Sequence, residues 1–295
     1  MNKFCYLPSA LLLILNSMAF AGTETHGGSS IVCRDRRGSI ISTQLTDSYE
    51  QSQSSLLPED TEENQVYHVA LDRLHFRPDI QIWFRATLGQ FQSLAKRSET
   101  PLSRINDLGR TNRLPNRCEY RQLAIFDGTR ILIDPELYFS LPLRDRAALF
   151  IHEAVYYISR NFKNSGITDS SWARKVTGEL ISQTNITKAD DVLQETLEEI
   201  SFHLSPGTYR LGECRIDLSF NCATSVLTVK TKKVESCVAY GITENEIPFK
   251  LNWKTGEYFS RSGLHLVPGD QRFALGEATF KHSGLSWSGA SQWCQ

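Results

Sequence analysis

The sequence lacks any strong imbalance of charge. Its 32 Lys and Arg residues face 33 Asp and Glu residues, which leaves a formal net charge of −1. A chain so balanced offers no basic surface to nucleic acid or to an anionic membrane. After residue 21 it also lacks an apolar run near the roughly 20 residues that a spanning helix needs. We therefore expect no nucleic-acid partner and no membrane span in the mature chain.

Several catalytic signatures are also missing. Gly-x-Ser-x-Gly, the turn that presents a nucleophilic serine, does not occur. No Gly-rich phosphate-binding loop is present, and no two cysteines form a Cys-x-x-Cys unit. These absences argue against serine hydrolase, nucleotide-binding and thiol redox chemistry.

The N-terminus has the pattern of a secretory signal. Lys3 is the only charge before Glu24, and the apolar run ALLLILNSMAFA ends in Ala19-Phe20-Ala21. A short apolar region closed by Ala-x-Ala is typical of a cleaved signal peptide. The sequence therefore predicts a signal peptide over 1–21 and a periplasmic or extracellular mature protein.

Cysteine usage agrees with export. Cys5 leaves with the signal, and an even number remains, which in an exported chain indicates disulfides. The remaining cysteines are Cys33, Cys118, Cys214, Cys222, Cys237 and Cys294. Their clustering favours a Cys33–Cys118 bridge and two bridges among the last four, whose pairing stays open.

The chain divides by pattern into two regions, an α+β domain over 22–206 and a β domain over 207–295. In the first, a hairpin over 27–45 precedes a polar stretch at 46–64 that we interpret as a loop. Apolar residues at helical spacing predict helices between 62 and 97, divided at Pro78, and the basic stretch 98–117 is interpreted as a long loop.

A second hairpin, with its turn at Asp127-Gly128, is predicted over 119–133, followed by helices over 142–162, 170–183 and 188–203. We expect Asp169 or Ser170 to cap the second of these helices. Beyond Pro206-Gly207, short apolar runs alternate with turn residues. This pattern predicts a sandwich or small barrel held by disulfides.

The helix over 142–162 contains AALFIHEAVYYISR, in which His-Glu is followed by two small apolar residues. At about 100° per residue, His152, Glu153, Tyr156 and Arg160 share one face, opposite an apolar face. Zinc peptidases place a second His four residues after the first, with the Glu between them activating water. Here Tyr156 occupies that position, and a neutral phenol is a poor zinc ligand.

The strand, short connection and helix over about 120–162 resemble a degenerate zincin core, the fold of zinc metallopeptidases. That resemblance implies His152 as metal ligand, Glu153 as base, and Tyr156 or Arg160 steadying an oxyanion. Further ligands would have to come from the downstream helix, which carries Glu195, Glu198, Glu199 and His203.

The alternative is a structural cluster. Glu153 and Arg160 lie two turns apart on one face, and Arg174 in the next helix is able to reach back to a carboxylate. Such a network pins helices together without any substrate.

A second resemblance joins two distant stretches. Gly27, Gly28, Val32 and Cys33 match a Gly-Gly-x-x-x-Val-Cys start, and His152, Glu153 and Tyr156 match a His-Glu-x-x-Tyr helix. Together they resemble a group of exported bacterial proteins of unassigned activity. This implies a shared scaffold over about 27–183 and no reaction.

Two hypotheses follow. The first is a non-catalytic envelope or secreted protein without a cofactor, whose β domain contacts a protein or a glycan. The aromatic residues that would serve a glycan are Trp253, Tyr258, Phe259, Trp287 and Trp293. The second is a zinc-dependent hydrolase built on His152 and Glu153. We favour the first.

Overall fold

The structure is a computed structural model. It describes residues 28–51, 56–75, 77–103, 114–127, 129–162, 170–183, 207–221, 224, 226–253, 257–269, 272–275 and 278–282. The predicted signal peptide and the predicted helix over 188–203 lie outside these residues.

The first half of the chain mixes short strands with helices. Its helices are α1 Thr46–Glu50, α2 Glu63–Arg73, α3 Pro78–Leu94, α4 Pro135–Ser140, α5 Leu143–Phe162 and α6 Ser171–Leu180. Its strands are β1 Ser29–Arg34, β2 Ile40–Leu45, β3 Ala95–Arg97, β4 Cys118–Gln122, β5 Ala124–Phe126 and β6 Ile131–Ile133.

The predicted N-terminal hairpin is confirmed. β1 and β2 pair antiparallel, and Gly38 in the turn between them has a φ of +86°, which glycine adopts without a steric cost. β4 pairs on the other side of β1, giving the order β2-β1-β4. Cys33 lies directly opposite Cys118, and the two form the predicted disulfide.

A second small sheet has the order β3-β6-β5, in which β5 and β6 form the predicted hairpin around Asp127. Helix α5 follows β6, with the short helix α4 as the connection. The predicted order of strand, connection and helix is therefore present. The zincin-like character of this arrangement stays a prediction.

Helix α5 is the centre of the helical packing. It contacts α2, α3 and α6, and its apolar face is fully buried. Pro78 begins α3, where its missing N–H costs nothing because the first helical N–H groups have no partner. The division of the 62–97 segment at Pro78 is thus confirmed.

Three local predictions were wrong or incomplete. The stretch 46–64 is not simply a loop, because α1 starts immediately after β2 and α2 starts at Glu63. Helix α4 was not predicted at all. Helix α6 ends at Leu180, and Ser170 occupies its N-cap position without forming a side-chain cap.

The second half is an antiparallel barrel. Its strands are β7 Gly207–Leu211, β8 Cys214–Asn221, β9 Val226–Thr231, β10 Glu246–Asn252, β11 Glu257–Ser260, β12 His265–Gly269, β13 Arg272–Leu275 and β14 Ala278–His282. Each pairs with its neighbours in sequence, and β14 pairs with β7 to close the sheet. Of the two predicted β architectures, the barrel is the one observed.

Alternation along the strands explains the barrel. In β8, Cys214, Ile216, Leu218 and Phe220 are buried while the residues between them face outward, as a period of two requires. Cys214 forms a disulfide with Cys237, which lies between two 3-10 turns. Cys222 and Cys294 lie outside the described residues.

The two halves share one contiguous apolar core. The indole nitrogen of Trp83 donates to the carbonyl oxygen of Trp253 at 2.9 Å, and the Trp253 ring contacts the rings of Phe91 and Tyr157. Trp253 is therefore partly buried against this core. Within the described residues, no helix is both long and apolar enough to cross a membrane.

Candidate functional site

His152 and Glu153 lie in the middle of α5 and are each only 2% exposed. At this depth, every polar atom needs a partner or it costs free energy. The partners come from two segments far away in the sequence, α1 and the residue before β1.

His152 is paired with Asp47 in the first turn of α1. The His152 Nδ1 and Asp47 Oδ1 atoms lie 2.6 Å apart, and both side chains are buried. Burial alone would lower the pKa of His152, but the charge of Asp47 and its hydrogen bond outweigh burial and raise the pKa above its usual 6.5. Asp47 therefore favours the protonated form of this buried imidazole.

The Glu153 carboxyl group accepts a hydrogen bond from the main chain. Gly28 donates its backbone N–H to Glu153 Oε1 at 2.5 Å. Burial raises the pKa of Glu153 to about 7, although the nearby His152 charge and the Gly28 N–H both act to lower it. The Glu153 carboxyl group therefore changes from its protonated to its ionised form near neutral pH.

Gly28 is sandwiched between the helix and the sheet. Its carbonyl oxygen accepts the N–H groups of Leu123 and Ala124, both at 3.0 Å. A Cβ atom placed on Gly28 would lie 2.2 Å from Leu149 Cδ1. Real Cβ atoms essentially never lie that close to another atom, so any side chain at Gly28 would force the buried Leu149 side chain to move.

Gly28 and Glu153 belong to the two stretches that carried the sequence resemblance. These stretches, 125 residues apart, are in direct contact through the Gly28–Glu153 hydrogen bond. The two motifs are therefore halves of one structural unit.

Three further hydrogen bonds fix α1 in position. Asp145 accepts the Leu45 N–H at 2.9 Å and the Ser48 hydroxyl at 2.7 Å, which ties the end of β2 and the start of α1 to α5. Arg174 of α6 donates to Glu50 at 2.7 Å. Because α1 carries Asp47, these contacts hold the partner of His152 in place.

Tyr156 lies one helical turn after His152 on α5. Its ring stacks parallel to that of His152, with 6.2 Å between the centroids and 6° between the planes. Its side chain is buried, as are those of His152 and Glu153. The three therefore form one buried cluster.

The predicted site residues are only partly described. The structure brings together His152, Glu153 and Tyr156, whereas the Arg160 side chain and residues 184–206, with Glu195, Glu198, Glu199 and His203, lie outside the description. Arg174 does reach a carboxylate, as predicted, and that carboxylate is Glu50. Glu153 binds Gly28 instead.

Sequence reasoning missed Asp47, because it placed that residue in a loop. A signal was available: an acidic residue one position into a polar stretch after a strand is typical of a first helical turn. Among the described residues, no group of three or more His, Cys, Asp or Glu side chains is arranged to hold a metal ion.

Comparison with known proteins returned no match: no family model, no curated protein and no solved structure is similar to this chain. Fold and site geometry therefore carry the functional argument.

Proposed function

We propose that this is a non-catalytic exported protein of the envelope or the secreted fraction. Its α+β half is pinned together by the His-Glu helix, and its barrel contacts a partner. The two disulfides support the exported location, because such bonds persist in oxidising compartments.

The proposal rests on the buried hydrogen bonds that His152 and Glu153 each form with another part of the chain. The His152 Nδ1 atom and the Glu153 carboxylate are bound inside the protein, to Asp47 and to the Gly28 N–H. Both side chains are 2% exposed, and a catalytic base must be able to reach the substrate proton that it removes. The cluster joins α5 to α1 and to the residue before β1 through buried hydrogen bonds, which is a structural role.

The barrel offers an exposed aromatic surface for a partner. Phe259 is 38% exposed and stacks on His265 of the adjacent strand, with 4.3 Å between the ring centroids. Val267, on the same strand as His265, is also exposed. A stacked ring of this kind suits a glycan or an apolar side chain. Tyr258 is buried, and Trp287 and Trp293 lie outside the described residues.

One observation favours the second candidate, a zinc-dependent hydrolase. A metal-binding His commonly holds its other ring nitrogen against a carboxylate, as His152 does with Asp47. In that proposal His152 would bind zinc and Glu153 would activate water, with Tyr156 or Arg160 near the oxyanion. Its remaining ligands would come from outside the described residues.

Metal analysis separates the two proposals. We would purify the mature chain without chelator and measure zinc in the wild type, His152→Ala and, as control, His68→Ala on the exposed face of α2. The non-catalytic proposal predicts much less than one zinc per chain in all three, and no cleavage of a casein substrate. One zinc per chain that disappears only in His152→Ala would overturn it.

A further inference from the structure

A row of basic residues crosses four adjacent strands of the barrel. Arg210 of β7 lies directly opposite Arg215 of β8, and both side chains are exposed. On the other side of β7, Lys281 of β14 is the register partner of Arg210. Arg272 of β13 is in turn the register partner of Lys281. We call these four residues the basic row.

The basic row continues past β8. Thr231, the last residue of β9, is opposite Ile216, and the exposed Lys232 follows it directly. The same register, continued by one residue, places Lys232 beside Arg215. Adjacent strands lie about 4.8 Å apart. The cationic positions therefore form a line with a regular spacing. The balanced charge of the whole chain gives no sign of this line, because its members come from separate strands.

The basic row does not help the barrel to fold. Like charges directly opposite each other on adjacent strands repel and lower stability. Elsewhere the barrel pairs opposite charges, since Lys230 of β9 lies opposite Glu246 of β10 at 3.1 Å. Repeated cations at neighbouring register positions therefore point to an anion that the barrel binds.

In the part of the chain that the structure describes, neither Arg210 nor Arg215 forms an ion pair or a side-chain hydrogen bond. Two acidic residues lie on the same hairpin, Glu213 in its turn and Asp217 in β8. Asp217 accepts the Thr208 hydroxyl at 2.5 Å instead. Both guanidinium groups are therefore available to a ligand, and arginine binds a carboxylate or a similar anion through two parallel hydrogen bonds.

The surface around Arg210 and Arg215 is polar. The other exposed side chains of β7 and β8 are Asp217 and Asn221, and no large apolar side chain of these two strands is exposed. The buried centre of a protein–protein interface is usually apolar. A linear polyanion needs no apolar patch, because its binding gains free energy from the release of counterions. The two disulfides support a location outside the cytoplasm, where acidic polysaccharides are the common linear polyanions.

We propose that the basic row binds a linear acidic polysaccharide that lies across β13, β14, β7 and β8. Acidic groups on successive sugar units would pair with successive cations, because the distance between strands is close to the length of one sugar unit in an extended chain. This proposal names a class of partner for the barrel and so rests on the proposed function. It holds whether or not His152 binds a metal.

The test is a binding measurement on the full mature chain. Fluorescence anisotropy of a labelled oligogalacturonate, which has one carboxylate per sugar, should show binding in about 50 mM salt that weakens steeply as salt is added. Its uncharged methyl ester should not bind. Binding of a sulfated oligosaccharide in place of the carboxylated one would support the proposal and identify the acidic group.

Arg210→Gln/Arg215→Gln should weaken binding about tenfold or more, which is about 1.4 kcal/mol. Arg36→Gln/Arg261→Gln is the matched control, because it removes the same charge at exposed positions in the β1–β2 and β11–β12 turns. The control should bind within about twofold of the wild type, since exposed charges beyond about 10 Å are screened.

The linear arrangement has its own readout. Lys281→Gln and Arg272→Gln, on the two strands beyond β7, should each weaken binding as well. Each variant of the basic row should melt at or above the temperature of the wild type, because it relieves repulsion. A loss of binding is then not a loss of folding.

Three results would overturn the proposal. The first is no binding of either acidic oligosaccharide, and the second is an equal loss of binding in Arg36→Gln/Arg261→Gln. The third is tighter binding of single-stranded DNA or of a polyglutamate peptide than of both oligosaccharides. None of these results changes the metal analysis, which tests the proposed function separately.

Discussion

The helical half and the barrel bury different kinds of side chain. Nine Asp, Glu, His and Arg residues are buried in the described part of the helical half: Asp47, Arg73, Arg77, Asp134, Arg144, Asp145, His152, Glu153 and Arg174. In the described part of the barrel, the only buried residue classed as polar is Thr231. The barrel core is therefore almost wholly apolar, whereas the helical core also contains charged side chains, among them the pairs Asp47–His152 and Arg144–Asp145.

This difference shows two ways to specify a fold. The barrel relies on alternation along each strand, closure of the sheet and the Cys214–Cys237 bridge. The helical half relies on groups that tolerate burial only with their partners, so Asp47 without His152 is a buried charge without compensation. We therefore expect the helical half to be sensitive to single substitutions and to pH, and the barrel surface to be insensitive to both.

The largest effect should come from breaking the Asp47–His152 pair. His152→Ala leaves the Asp47 carboxyl group buried at 1% exposure without the His152 ring that pairs with it. Removing one partner of a buried ion pair costs about 3–5 kcal/mol. Urea unfolding should show this loss, while His68→Ala on the exposed face of α2 should change stability by less than about 0.5 kcal/mol. Equal effects of the two substitutions would contradict the pairing.

Glu153 should give stability an unusual dependence on pH. Its pKa rises from the usual 4.5 to about 7 in the folded protein because of burial, so the folded state holds the proton more tightly than the unfolded state. The stability that this proton contributes is fully present below pH 4.5 and is lost as the pH rises through about 7. His152, whose pKa is also raised, acts in the same direction.

Glu153→Gln checks this directly. The amide oxygen is still able to accept the Gly28 N–H, but the group cannot ionise. The free energy of unfolding at pH 8 should rise by on the order of 3 kcal/mol relative to the wild type, with little difference at pH 4.5. Glu62→Gln, at an exposed position, should show no such effect. A loss of stability in Glu153→Gln at pH 8 would show that the ionised carboxylate stabilises the fold.

Gly28→Ala should cost less, about 1–3 kcal/mol, because the new methyl group meets Leu149 Cδ1 and must displace it. Gly89→Ala is a matched control inside α3, where a Cβ meets no atom within 4 Å. That change should instead stabilise the helix by up to about 1 kcal/mol. If Gly28→Ala and Gly89→Ala shift the melting temperature in the same direction, the close contact at Gly28 is wrong.

The smallest effect should come from a surface pair on the barrel. Lys230 and Glu246 lie 3.1 Å apart on adjacent strands, with more than half of each side chain exposed. Glu246→Gln should lower stability by less than about 1 kcal/mol, and 1 M salt should remove the difference. A loss as large as that of His152→Ala would remove the contrast between the two halves.

The sequence predicted what depends on local pattern. Short apolar runs between turn residues predicted a β domain, Pro78 predicted the division between two helices, and cysteine clustering favoured the Cys33–Cys118 bridge; the structure confirms all three. The sequence also put His152, Glu153 and Tyr156 on one helical face. It could not show what that face meets, because Gly28 and Asp47 come from more than 100 residues away. Contacts at that separation leave no periodicity in the chain.

The Asp47–His152 double-mutant cycle tests the central claim most directly, because it measures the pair itself. Unfolding free energies of the wild type, Asp47→Ala, His152→Ala and the double variant would be compared at pH 6. We predict that the double variant loses less than the sum of the two single losses, by at least about 1 kcal/mol, since each substitution already breaks the same pair. Additivity within about 0.5 kcal/mol would contradict the account.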